Sequence, residues 1–197
     1  MPANPGDLQN DFTVNAPEHA MNQTQRGISL IELLIALAIA AVLLGLSLPS
    51  FASFTARNNV AASHHLLMAS FAAAREAAIV ERSDTVLCPG DPTTGCRSDG
   101  IWDSGWVLFV DRNADGKLGG ADTLIRAESA PGNDLAIRSS KHRSRVTFQR
   151  NGMAQGSNLT VKVCDAAGAA LAGLVTSNTG RTRASTDKEV AAMAACF

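Results

Sequence analysis

The stretch Ile28–Leu48, ISLIELLIALAIAAVLLGLSL, governs how the rest of the chain must be read. Only Ser29, Glu32, Gly45 and Ser47 interrupt its apolar character. As a helix rising about 1.5 Å per residue it would be about 30 Å long, the thickness of a bilayer's hydrocarbon core. A helix buried in a soluble core rarely runs that far without a polar face, so residues 28–49 are expected to span a membrane. The whole chain has 197 residues, 46% hydrophobic and 18% charged. Without this one run the composition is that of an ordinary soluble domain.

The pattern changes on both sides of the run. Residues 1–20 contain Pro2, Pro5 and Pro17 with little periodicity and are expected to be disordered. Met21 is an alternative start. Residues 1–27 form a leader, which a start at Met21 would shorten to the polar Met21–Gly27, and it ends in a basic–glycine step, Arg26-Gly27. A secretory signal would instead carry its small-residue cleavage site after the apolar segment. Downstream, Ser50 to Arg82 is rich in alanine and lacks Gly and Pro. Phe51, Phe54, Val60, Leu67, Phe71 and Ala78 recur at roughly helical spacing, which predicts an amphipathic helix over residues 50–84. The adjacent His64 and His65 face different sides of such a helix and cannot share a metal; both are expected at the surface.

From Thr85 onward short β-prone runs alternate with Gly, Pro, Asn and Asp: Thr85–Cys88, Gly105–Val110, Thr123–Glu128, Arg145–Phe148, Leu159–Cys164 and Leu171–Val175. The expected fold class is therefore α+β. A long N-terminal helix would lay its second half on antiparallel sheets formed by a β-rich domain, residues 85–197.

All four cysteines, Cys88, Cys96, Cys164 and Cys196, lie after the apolar run. None forms a CxxC pair, so no zinc site is expected. An even number on one side of a membrane segment points to disulfides in an oxidising compartment, periplasmic or extracellular. Three pairings are possible; the spacing favours Cys88–Cys96 and Cys164–Cys196.

The net charge of −1 conceals a strong asymmetry. Residues 1–134 carry fifteen acidic and eight basic side chains. Residues 135–183 carry Asp165 alone against Arg138, Lys141, Arg143, Arg145, Arg150, Lys162, Arg181 and Arg183. Such a segment suggests a positive field facing a polyanion or an acidic surface.

The run Arg26-Gly27-Ile28-Ser29-Leu30-Ile31-Glu32-Leu33-Leu34-Ile35 resembles the class III leader of type IV prepilins and type II secretion pseudopilins. The resemblance implies that a prepilin peptidase cuts after Gly27 and methylates Ile28, a position where phenylalanine is more usual. Glu32 and Pro49 then match the family's fifth and twenty-second mature positions. The resemblance gives Glu32 an assembly role, pairing with the N-terminal amine of a neighbouring subunit. Physics supports a role independently, because a carboxylate inside an apolar span is costly without a partner. Ser29 and Glu32 also have capping-box spacing, and the two roles are compatible at different stages.

A second set of motifs resembles the GspH/FimT family of minor pilins and pseudopilins. These are Gly105-Trp106-Val107-Leu108-Phe109-Val110-Asp111-Arg112-Asn113-Ala114-Asp115-Gly116, Val146-Thr147-Phe148-Gln149-Arg150-Asn151-Gly152 and Thr179-Gly180-Arg181-Thr182-Arg183. The likeness implies a pilin fold, inner-membrane insertion with a periplasmic domain, and assembly with other major and minor pilins or pseudopilins. It also implies that the Gly180-Arg181-Thr182-Arg183 loop binds double-stranded DNA. Arginines two apart in an extended loop point to one side, and each guanidinium can grip a phosphate. Lys141, Arg143 and Arg145 would add backbone contacts. Two functional readings follow. One is a minor pilin near the tip of a type IV pilus that binds DNA for uptake; the other is a minor pseudopilin of type II secretion. The Cys196-Phe197 tail has no counterpart in the pattern.

Asp111, Asn113, Asp115 and Asp122 have part of an EF-hand spacing, but the closing glutamate is absent and no flanking helices are expected. A polar hairpin turn and a calcium loop are both compatible with the residues, and the resemblance supports the turn. No nucleophile, carboxylate pair or phosphate-binding loop stands in a catalytic pattern. No enzyme activity, cofactor or metal is expected.

Overall fold

The computed structural model describes residues 27–130, 135–140 and 142–196, without the side chains of residues 46–50, 52 and 53. The leader up to Arg26, Lys141 and Phe197 lie outside the described residues. The chain divides into two units, up to Leu46 and from Ser47 onward.

Helix α1 runs from Leu30 to Glu81. Its start is capped by Ser29, whose hydroxyl accepts the Glu32 N–H at 3.2 Å, while the Ser29 carbonyl takes the Leu33 N–H. The Ser29–Glu32 spacing thus performs its local role. Within the first unit, every described side chain from Ile28 to Val42 is exposed, including Leu30 at 76%. Among the described residues no helix is long and apolar enough to cross a membrane.

The second unit is built on the C-terminal part of α1. Leu67, Phe71, Ala74 and Ala78 recur at steps of four, three and four, form one stripe, and are buried. Phe51 and Phe54, expected to belong to the stripe, are 70% and 61% exposed: at about 100° per residue they fall on the side of the helix opposite Leu67. The helix ends as Arg82 adopts a left-handed conformation, φ 51°.

Among the described residues, nine strands follow in two antiparallel sheets. The first contains β1 (Asp84–Asp91), β2 (Gly95–Cys96), β3 (Trp106–Asp111), β4 (Thr123–Glu128) and β6 (Val146–Phe148). Strand β1 is central: β3 pairs along one side, while β6 and β2 pair with successive parts of the other. The second sheet contains β5 (Ala136–Ser139), β7 (Leu159–Cys164), β8 (Ala170–Thr176) and β9 (Thr182–Ala184), in the order β5-β7-β8-β9. A five-residue helix, α2 (Asp187–Ala191), follows.

Both sheets contribute to one core with the α1 stripe, through Leu87, Trp106, Leu108 and Phe148 from the first and Ile137, Val161 and Leu174 from the second, joined by Trp102 from the β2–β3 connection. Polar ties fix the seams. Thr85 Oγ1 donates to the Ala74 carbonyl at 2.7 Å, and Trp106 Nε1 donates to Ser70 Oγ at 2.8 Å. His64, on a spacing that suggests the surface, is half-buried, with Nε2 3.3 Å from the Gly173 carbonyl. It lies three residues before Leu67, on the flank of the buried stripe. A smaller apolar cluster, Val86, Cys88, Val107 and Phe109, covers the opposite face of the first sheet beneath Leu118. This is why β3 is buried throughout rather than in alternation.

Two disulfides staple the second unit. Cys88–Cys96 joins β1 to β2 with Cα atoms 5.5 Å apart, and Cys164–Cys196 ties the C-terminal segment to β7 with Cα atoms 6.3 Å apart. Lys162 Nζ reinforces the second staple, donating to the Ala194 and Ala195 carbonyls at 2.6 and 2.7 Å.

Two stability measurements test this packing. Ser70→Ala removes the acceptor of a buried indole N–H and should cost about 1–3 kcal/mol in denaturant unfolding. Cys196→Ser opens the larger loop and should cost about 2–4 kcal/mol, read as a lowered melting temperature.

Candidate nucleic-acid interface

The β8–β9 hairpin sets the site. Thr176 pairs with Thr182, and residues 177–181 form the tip, where Ser177 N–H donates to the Arg181 carbonyl at 3.0 Å. Gly180 closes the turn, donating to the Ser177 carbonyl at 2.9 Å with φ 77°. Two constraints require glycine there. The left-handed conformation disfavours a side chain, and a Cβ would overlap the Gly152 carbonyl oxygen.

That contact joins two motifs far apart in sequence. Gln149–Gly152 is a turn in which Gly152 N–H donates to the Gln149 carbonyl at 2.7 Å. The hairpin tip rests on it, with Ala154 N–H donating to the Asn178 carbonyl at 3.0 Å. The Val146–Gly152 and Thr179–Arg183 segments are therefore one structural feature. Arg150, counted in the basic segment but not assigned to the loop, sits exposed on the supporting turn. The Gln-Arg-Asn-Gly turn chemistry was the signal available for placing it.

The expected arginines differ in what they do. Arg181 is exposed at the tip, and among the described residues its guanidinium makes no hydrogen bond or ion pair. Arg183, two residues on, donates to both carboxylate oxygens of Glu189 at 2.7 and 2.6 Å. Hydrogen bonding to Arg183 is the main cause that brings the Glu189 carboxyl down to about 2, and the same pair raises Arg183.

Arg143 and Arg145 are held by the backbone. Their guanidiniums donate to the Gly156 and Gly116 carbonyls respectively. Arg143 follows β5, and Ser140 N–H donates to the Thr160 carbonyl, so Arg143 lies at the same end of the second sheet as the hairpin tip. Three interstrand steps separate the β5 and β9 positions, about 14 Å at the usual spacing. Arg145 is committed to the loop that begins at β3. Lys141 lies outside the described residues. Within the same basic segment, Arg138 pairs with Asp103, so much of the charge asymmetry is used to tie the fold together.

Asp111, Asp115 and Asp122 lie close enough for their oxygens to share an ion. Each is already occupied by local donors. Asp111 accepts the Asp115 and Gly116 N–H groups, and Asp122 accepts those of Arg112 and Gly119. Asp115 is held below the usual carboxylate range, first by the Lys117 N–H and then by the Asn113 side chain. The arrangement is that of a self-bonded polar turn.

Gly27 and Ile28, the expected processing residues, are exposed. Glu32 is likewise exposed, in the first turn of α1.

Comparison with known proteins places these features. A family profile described as Type II transport protein GspH matches residues 65–180, and one for the prokaryotic N-terminal methylation motif matches residues 22–48. No curated protein matches the chain. Among solved structures, the type IV minor pilin FimU of Pseudomonas aeruginosa superposes in one crystal form with a TM-score of 0.55 at 19% identity, over 73% of this chain and 99% of that one. A second crystal form of FimU gives a TM-score of 0.51 at 18% identity, over 70% of this chain and all of that one. The GspH match spans more than half of the chain and includes the core stripe, both sheets and the hairpin through Gly180, so this protein belongs to the GspH family of pilin-like proteins.

Proposed function

We propose that this chain is a minor pilin of a type IV pilus, anchored in the inner membrane before assembly, that binds double-stranded DNA through the tip of the β8–β9 hairpin. The observation that carries the reading is Arg181: a guanidinium with free donors, at the tip of a turn fixed by Gly180 against Gly152. A rigid presenting turn lowers the ordering cost of contacting a phosphate. Arg150 lies on the turn beneath it and Arg143 at the same end of the second sheet, and neither forms an ion pair among the described residues. Contact of this type grips the backbone and reads no base, so binding is sequence-tolerant. The likeness to FimU in fold supports the pilus setting. No catalytic role enters this reading.

The apolar run supports insertion in the membrane, with a prepilin peptidase cutting after Gly27 and Glu32 engaging a neighbouring pilin during assembly. The other reading is a minor pseudopilin of type II secretion, favoured by the description of the matching family as a type II transport protein. In that setting the same hairpin would face other pseudopilins rather than DNA.

Processing is tested by mass spectrometry of the mature chain, which should begin at an N-methylated Ile28. Replacing Gly27 with a bulky residue should leave the precursor uncut. A mature form that retains Gln25 would end the prepilin reading.

DNA binding is tested with the full chain in a non-ionic detergent and a fluorescent duplex. Affinity should fall steeply as salt rises, because each neutralised phosphate releases counterions. Arg181→Ala should weaken binding by about 1.5 kcal/mol, roughly tenfold, equally for unrelated sequences. Arg145→Ala should have a smaller effect. Unchanged affinity in Arg181→Ala would remove this site, and absence of binding by the parent at low salt would favour the pseudopilin.

A further inference from the structure

The second arginine of the Gly180-Arg181-Thr182-Arg183 string is not presented as the first is. Its guanidinium edge is filled by the Glu189 carboxylate in a two-pronged contact, 2.7 and 2.6 Å. A phosphate grips the same edge in the same way. The Glu189 oxygen is itself held in position, accepting the Thr186 N–H at 2.8 Å and the Thr186 hydroxyl at 3.2 Å in a capping box. The segment carrying it is tethered at both ends. Ser185 N–H donates to the Gly173 carbonyl at 2.8 Å, and beyond α2 the Lys162 clamp and the Cys164–Cys196 disulfide fix the tail to β7.

We propose that Glu189 is a phosphate surrogate, a competitor built into the C-terminal segment that withholds Arg183 from DNA until a phosphate displaces it. The inference rests on the DNA-binding reading above and concerns the regulation of that site. Arg183 and Glu189 are both partly open, with 43% and 40% of their side-chain surface accessible, so an incoming phosphate can reach the pair. Exposed ion pairs of this kind are weak, which makes displacement feasible. Arg181 would engage first, since nothing occupies it, and Arg183 would follow once DNA is held nearby. Affinity and salt dependence are then set by the tail as well as by the hairpin.

The competitor is present at physiological pH. The Glu189 carboxyl is lowered to about 2 in the folded chain, so its pairing is complete above the ordinary carboxylate range and is lost only as pH falls through about 2. Across the range in which DNA is handled, Glu189 is charged and Arg183 is occupied.

The test compares Glu189→Gln with the parent, using the full chain in non-ionic detergent and a duplex of about 30 base pairs at several salt concentrations. Glutamine is accepted at the third position of a capping box, so the variant removes the charge without removing the cap. Binding should tighten by about three- to tenfold, and the slope of log affinity against log salt should steepen by about 0.9, one additional phosphate. In an Arg183→Ala background the same substitution should bring no gain. Asp187→Asn, an equal charge change two residues away, should tighten binding less and leave the slope unchanged. A gain that survives in Arg183→Ala, or one matched by Asp187→Asn, would make the effect a general field and overturn the proposal. Binding that requires Arg181 but is indifferent to Glu189→Gln overturns this inference alone. No binding by either the parent or Glu189→Gln overturns the DNA reading with it.

Discussion

The α1 stripe of Leu67, Phe71, Ala74 and Ala78 is the surface against which the two sheets form a common core. The first sheet has a small second cluster of its own, but the second sheet's buried side chains Ile137, Leu159, Val161, Val163 and Leu174 all belong to the shared core. Small side chains matter as much as large ones here. Ala74 and Ala78 let β1 approach closely enough for Thr85 to bond the Ala74 carbonyl, while Phe71 stacks on Trp102 with ring centres 6.3 Å apart. Alanine also has the highest helix propensity, so the residues that allow close packing favour the helix that needs it.

Fixing the second sheet on α1 fixes the hairpin. Strand β9 has only three residues and pairs with β8 alone, so its position depends on β8 and on what the tip rests against. That rest is the Gln149–Gly152 turn, which leaves β6 and so reports the position of the first sheet. Two sheets brought together by one helix therefore meet again at Gly180 and Gly152. A side chain at Gly180 would force the turns apart and one at Gly152 would run into Ile79 and Arg75 of α1, which explains why the loop carries glycine where an arginine-rich surface alone would not need it.

Much of the architecture was legible in the sequence. Strands β4 and β7 fall on Thr123–Glu128 and Leu159–Cys164 because each is a β-prone run bounded by turn residues. The stripe was legible through Leu67, Phe71 and Ala78, but Phe51 and Phe54 were read into it wrongly, since at about 3.6 residues per turn they fall on the opposite side of α1 from Leu67 and stay exposed. Strands β2, β5 and β9 escaped for related reasons. Strand β2 is two residues pinned beside a disulfide, β5 is short and contains Arg138, and β9 carries Arg183 between Thr182 and Ala184. Pairing with a neighbour, rather than local propensity, makes each of them a strand. Helix α2 did leave a signal: Thr186 and Glu189 have capping-box spacing.

The site was less legible than the fold because charge in a sequence carries no statement of who neutralises it. Seven of the eight cations between residues 135 and 183 are described, and most are engaged. Arg138 meets Asp103, Lys162 caps the tail, Arg143 and Arg145 hold loop carbonyls, and Arg183 meets Glu189. Such contacts differ in consequence. A guanidinium bonded to a neutral carbonyl keeps its full charge and still contributes to the field, whereas one facing a carboxylate is cancelled at close range. The local field at the hairpin end is thus weaker than the sequence count implies, and it is concentrated at Arg181, Arg150 and Arg143. A surface built this way favours loose, salt-sensitive contact with a polyanion over tight and specific recognition. That behaviour fits the proposed role of a pilus subunit that takes hold of DNA of any sequence.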